Sequence, residues 1–143
     1  MMNKLFLVFL VLLISACSAT GPLYTEVESR AAAQEGKIIV YVYRIKQLLG
    51  SAASAHIIDN NQDMGVVNVG GYIKYIANSG FHTIHTDTTY FDEPLKLEMK
   101  EGEKYFLRVD YEIISSFQSI FKVVNLSKES AQAEIEGTHY QGE

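Results

Sequence analysis

KIIVYVYR, residues Lys37 to Arg44, is apolar at six consecutive positions, Ile38 to Tyr43, and is built from β-branched and aromatic side chains. Side chains in a strand point alternately to opposite faces, so a strand apolar at every position is one covered on both sides. The stretch is therefore expected in the middle of a sheet. Downstream the pattern changes to strict alternation. In Pro94 to Lys100 (PLKLEMK), Leu95, Leu97 and Met99 share one face, and Lys96, Glu98 and Lys100 share the other. In Tyr105 to Ile113, the residues Tyr105, Leu107, Val109, Tyr111 and Ile113 are expected to point inward, with Arg108, Asp110 and Glu112 in water.

Further strands are expected at Ala55 to Asp59, Val66 to Val69, Tyr72 to Ala77, Phe81 to Thr88 and Ser119 to Leu126. Between them lie Asn60-Asn61-Gln62-Asp63, Gly70-Gly71, Asn78-Ser79-Gly80 and Glu101-Gly102. These are residue types for which a positive φ or a side-chain turn is inexpensive. Short strands at this spacing predict an all-β fold, an antiparallel β-sandwich of about seven or eight strands. One short C-terminal helix is expected over Ser127 to Gly137 (SKESAQAEIEG), with Ser127 as N-cap, acids in its first turn and Gly137 closing it.

Upstream, residues 3 to 17 read NKLFLVFLVLLISAC: one basic residue, an unbroken apolar run, and then Ile14-Ser15-Ala16-Cys17. That is the layout of a bacterial lipoprotein signal. Lys4 stays on the cytoplasmic side, and Ser15 and Ala16 are small enough for a peptidase cleft. Cleavage between Ala16 and Cys17 leaves a thiol to carry a diacylglyceryl group, with a further acyl chain, palmitate for example, on the new α-amino group. Two or three acyl chains make a stable anchor where one holds only marginally. As a helix, Leu5 to Ala16 would cover roughly 18 Å, short of the roughly 30 Å hydrocarbon core. The expected organisation is signal peptide at 1–16, lipidated Cys17 and a flexible tether over 17–36, and the sandwich over 37–143. Ser18 follows the cysteine in place of the Asp that retains lipoproteins in the inner membrane of enterobacteria-like systems. Outer membrane, facing the periplasm, is therefore the expected location.

Charge narrows the partners. The chain has 12 Lys and Arg against 17 Asp and Glu, for a net charge of −5, and removal of residues 1 to 16 takes away Lys4 and no acid, giving −6. An acidic domain does not bind nucleic acid by neutralising phosphates, nor anionic lipid by a basic patch. Cys17 is the single cysteine, so no internal disulfide forms.

The order of Cys17, Gly21-Pro22-x-Tyr24, Gly36-Lys37 leading to Tyr41-Val42-Tyr43-Arg44, Asn61 to Gly65, Gly70-Gly71-Tyr72, Gly80-Phe81-His82 and Gly102-Glu103-x-Tyr105-Phe106 resembles an uncharacterised family of bacterial lipoproteins carrying a domain of unknown function. The resemblance covers nearly the whole mature chain and departs at Ser79-Gly80, where the family has Pro-Gly. It implies an all-β domain, and it transfers no functional residue.

The sequence offers little chemistry. His82 and His85, three apart in a strand, fall on opposite faces, which disfavours joint metal ligation. His85 and Asp87 share a face, but with Asp92, Glu93 and His139 they show no recognised ligand spacing, so no metal or cofactor is expected. Ser51, Ser54 and His56 lie in a small-residue loop without a G-x-S-x-G elbow. Gly70-Gly71 precedes a strand and so lacks the helix N-terminus of a phosphate cradle. The candidate partner or ligand surface is Arg44, Leu48, Leu49, Tyr72 and Tyr75. For Arg44 the plainer expectation is stacking on an aromatic ring or pairing with an acid. For Leu48 and Leu49 it is capping of the sandwich end. The function expected is that of a non-enzymatic envelope lipoprotein docking a protein partner or aiding envelope assembly. The alternative is a binding module for a small molecule, lipid or glycan.

Overall fold

In the computed structural model, residues 19–25, 32–88 and 93–142 are described. The expected signal peptide (residues 1–16), Cys17 and Asp92 lie outside them. The strands are β1 (Lys37–Tyr43), β2 (Ala55–Asp59), β3 (Gln62–Val67), β4 (Gly71–Asn78), β5 (Gly80–Thr86), β6 (Leu95–Met99), β7 (Lys104–Ser115), β8 (Gln118–Leu126) and β9 (His139–Tyr140), and a helix, α1 (Lys128–Ile135), precedes β9. They form two sheets, ordered β8-β7-β1-β4-β9 and β3-β2-β5-β6. The all-β sandwich is present.

The first sheet is not purely antiparallel: β1 pairs parallel with β7 (Val40↔Tyr105, Val42↔Leu107) and β4 parallel with β9. The reason lies in the crossover. Met99, at the end of β6, sits opposite Gly80, at the end of the sandwich where β1 begins. The short link then hydrogen-bonds directly to β1, Gly102 N–H donating to Lys37 O and Ile39 N–H to Glu103 O. A strand leaving from there must run alongside β1.

β1 is central and covered on both faces. Ile38, Val40 and Val42 join Ile57, Val67, Ile84, Met99, Leu107 and Val109 between the sheets. Ile39, Tyr41 and Tyr43 point the other way, into a second apolar layer with Tyr24, Tyr72, Phe106 and the helix residues Ala131 and Ile135. There Tyr41 stacks on Phe106 with ring centroids 5.2 Å apart, while Tyr24 meets Tyr41 and Tyr72 edge-on. Each large side chain so buried contributes roughly 1.5–3 kcal/mol.

That layer corrects the tether expectation at its described residues. Tyr24 is buried, Ala19 is buried, and Tyr24 N–H donates to Thr138 O while Tyr140 N–H donates to Pro22 O. The segment is docked because the outer face of β1 and β7 is too apolar to leave in water.

Arg108 and Asp110 are likewise not simply solvated. Arg108 Nε lies 2.7 Å from Asp110 Oδ1 and Nη1 lies 2.9 Å from Glu134 Oε1, while Tyr43 OH donates to Glu134 Oε2 at 2.7 Å. Burial and the Glu134 carboxylate raise the Tyr43 pKa, and the Asp110 and Glu134 carboxylates raise that of Arg108. Glu134 thus pins α1 to the sheet. Glu134→Ala should cost about 1–2 kcal/mol, reduced from the full value of charged hydrogen bonds by partial exposure. A urea titration showing no loss would mean that the apolar contacts of Ala131 and Ile135 hold the helix alone.

Ser127 caps α1 as expected, its side chain accepting from Ser130 N–H, but the helix ends through Glu136 in a right-handed conformation, without a left-handed glycine. The β2-β3 turn is shorter than expected. Asn60 (φ 48°) and Asn61 (φ 65°) make a two-residue turn of the tight hairpin type, so Gln62 and Asp63 already pair with Asp59 and Ile58. β3 therefore begins four residues before Val66.

Candidate functional site

The end of the sandwich reached by the C-terminus of β1 is organised around Arg44. Its side chain, 1 % exposed, donates from Nη1 to Ala53 O at 2.6 Å and to Val67 O at 3.5 Å, and from Nη2 to Gly50 O at 3.0 Å. The guanidinium carbon lies 4.6 Å from the centre of the Phe121 ring, and Phe121 in turn packs edge-on against Tyr111 at 5.3 Å. Burial pushes the Arg44 pKa down, yet a guanidinium starts high enough to stay charged near neutrality. The cation is held by carbonyl dipoles and a ring face, and its planar fork is what lets it meet them together.

This corrects two expectations. Arg44 is not on a surface, and neither is Tyr72, which is fully buried. The cap expected of Leu48 and Leu49 is not formed: the loop 44–54 meets the sandwich end through its backbone. Gly50 (φ 71°) lies against the Tyr111 ring, where a Cβ would come within 2.5 Å of a ring carbon. With its carbonyls turned in toward Arg44, the loop turns Leu48 and Leu49 out: Leu48 is 91 % exposed and Leu49 is exposed as well.

Beside the loop, β7 and β8 run on past the body as a hairpin arm. Ile113, expected to point inward, is exposed, as are Ile114 and Phe117, the last at 98 %. The alternation of Tyr105 to Ile113 is real, but the opposing sheet does not extend under its final residues. Ile114 and Phe117 were missed by sequence reading. The available signal was the pair Ile113-Ile114, apolar on both faces at the end of an otherwise alternating strand.

The other titratable groups are dispersed. His82 is buried, with Nδ1 2.9 and 2.7 Å from the Asp59 carboxylate oxygens and Nε2 2.9 Å from Asn78 O. Tyr75, half-buried, donates to Asp59 Oδ2 at 3.0 Å, and its pKa is raised by burial and by that carboxylate. The group joins β2, β4 and β5 beneath a small cleft of about 290 Å³ lined by Lys37, Asn60, Gln62 and Phe81 among others. A base needs a nitrogen facing its substrate, whereas both His82 nitrogens are turned to acceptors inside the protein. His85 Nδ1 meets Thr86 O, and His139, on the other sheet, meets Gly21 O. Ser54 is hydrogen-bonded to Asn68. No group of three or more potential ligands among the described residues could hold a metal ion. A second cleft, of about 660 Å³, opens between the β3 edge and β9, lined by Asp63, Met64, Ile73, Lys74, Tyr140 and Gln141 among others.

No curated protein and no solved structure matches the chain. The family described as "Protein of unknown function (DUF2846)" matches residues 34–122, a span from just before β1 to the middle of β8 that takes in the Arg44 site and the arm, and the chain belongs to that family.

Proposed function

We propose that this is a lipid-anchored protein of the bacterial envelope that works by docking, without catalysis, through the end of the sandwich bearing Leu48, Leu49, Ile113, Ile114 and Phe117. The observation that carries the reading is the combination of a rigid base with apolar tips. A buried cation and an aromatic pair hold the loop and the arm in place, and what they hold out to solvent is large and apolar. Exposed apolar residues scattered singly are ordinary, but a cluster on adjoining projections marks an interaction surface. The anchor is supported by the lipobox Ile14-Ser15-Ala16-Cys17, and Ser18 supports the outer membrane, periplasmic side.

The test is photocrosslinking in cells with the lipidated full chain. A photoreactive residue at Phe117 or Leu48 should give adducts, while one at Glu101, at the opposite end, should not. Equal labelling at both ends, or none at either, overturns the docking surface. The anchor is tested separately: Cys17→Ser should move the protein from the membrane to the soluble periplasmic fraction, and a variant that stays on the membrane would refute lipidation.

A further inference from the structure

The turns at the two ends of the sandwich differ in chemistry. At one end the turns are Asn60-Asn61, Asn78-Ser79-Gly80 and Lys100-Glu101-Gly102-Glu103, polar or charged throughout. At the other, the loop residues 47–54 and the arm tip 113–121, which reads IISSFQSIF, contain no Asp, Glu, Lys or Arg, and the exposed Lys46, Asp87 and Glu112 flank them. The N-terminal segment crosses the body at this second end too. Leu23, itself exposed, bridges to His139, which pairs with Gly71 at the start of β4, and Gly70 N–H donates to Arg44 O.

The arm is the most informative part. Ile113 and Ile114 are neighbours in β7 and so point to opposite faces, and both are exposed. A strand with water on both sides is expected to be polar on both. This one carries isoleucine on each face and an almost fully exposed phenylalanine at the turn, with no charge between.

Three features select the occupant. The first is shape: the tips are convex, a finger and a loop. A stable protein interface needs a complementary surface burying about 1,200–2,000 Å², whereas a bilayer closes around a projection of any outline. The second is reach. Ala19 is already seated on the body, so only Ser18 separates Cys17 from the docked chain, a span of at most about 7 Å. A lipidated Cys17 would hold the domain against its membrane. The third is charge. An acidic domain gains nothing from anionic headgroups, and apolar insertion through a charge-free tip is the contact left to it.

We infer that this end enters the membrane interface, Phe117, Ile113 and Ile114 on the arm and Leu48 and Leu49 on the loop inserting among the headgroups and upper acyl chains of the bilayer that carries the anchor. The inference rests on the docking reading above and names lipid as what that surface docks.

The chain contains no tryptophan, so a single Phe117→Trp substitution, at a position already almost wholly exposed, reports on the tip alone. Phe81, exposed and at the polar end, supplies the comparison as Phe81→Trp. Each lipidated variant is placed in vesicles of phosphatidylethanolamine and phosphatidylglycerol with acyl chains brominated near the headgroup. Trp at 117 should shift to the blue and be quenched by bromine, and Trp at 81 should remain water-exposed and unquenched. In the unlipidated Cys17→Ser background, Phe117→Ser with Leu48→Ser should lower partition onto the same vesicles by about tenfold or more. Trp at 117 left as exposed and unquenched as Trp at 81 overturns the lipid assignment. If cellular crosslinks from position 117 then reach a protein, docking stands with a different partner. If they reach nothing, the docking reading fails with it.

Discussion

Arg44→Ala is expected to lose about 3–5 kcal/mol of folding stability, because carbonyls left without their donor cost roughly 1–3 kcal/mol each and the space of a fully buried side chain is left empty. The substitution leaves Gly50 O, Ala53 O and Val67 O without their donor and removes the cation from the Phe121 face. Arg44→Lys should recover only part of the loss, because one ammonium cannot span positions that a planar fork meets together. Chemical denaturation of the three proteins checks the order: wild type, then Lys, then Ala. Equal stability of Arg44→Lys and wild type would show that charge alone, and not the fork, holds the loop. Because the same carbonyls orient Leu48 and Leu49 outward, Arg44→Ala should also weaken whatever those tips bind. That effect separates from global stability if binding is read well below the unfolding transition.

Tyr41→Ala is the second large expected loss, also about 3–5 kcal/mol, from a buried aromatic side chain in a central strand that cannot collapse into the space left behind. Its ring stacks on Phe106 and supports Tyr24 edge-on, and each such pair adds about 0.5–1.5 kcal/mol beyond area. Tyr24→Ala should cost less even though Tyr24 is buried too. Its segment can lift away, so the penalty cannot exceed the free energy that docks that segment. Hydrogen exchange distinguishes the two variants. Tyr24→Ala should lose protection at Tyr24 and Tyr140, whose amides pair across the junction, and leave β1 protected. If β1 lost protection as well, the outer layer would be part of the central cooperative unit and not an addition to it.

The contrast between β1 and β7 explains how far the sequence could be read. In β1 every position from Ile38 to Tyr43 is apolar, and the strand is buried on both faces as that pattern demands. In β7 the alternation correctly separated Tyr105, Leu107, Val109 and Tyr111, which face the second sheet, from the opposite side. It gave no notice that Phe106 and Arg108 on that opposite side lie beneath Tyr24 and α1. Periodicity reports which residues share a face, and another element must arrive before that face is covered. Ile113 fails for the same reason in reverse, being in phase with the core but beyond its edge.

The candidate site was legible only as a list. Leu48, Leu49 and Arg44 could be named from their types and their place after a core strand, but nothing local to KIIVYVYR shows that Arg44 turns inward to carbonyls more than five residues away while the leucines turn outward. The Asp59–His82–Tyr75 group was not seen at all, since its members come from three strands.

Strand identity, most turn positions and the capped helix follow from residue type and spacing, because backbone preference and face alternation act over a few residues. The parallel pairing of β1 with β7, the docking of Tyr24, the burial of Arg44 and Tyr72 and the emergence of an apolar end follow from contacts between residues far apart in the chain. Those contacts form only when the sheets close on one another, and no local preference encodes which faces they will cover and which they will leave in water.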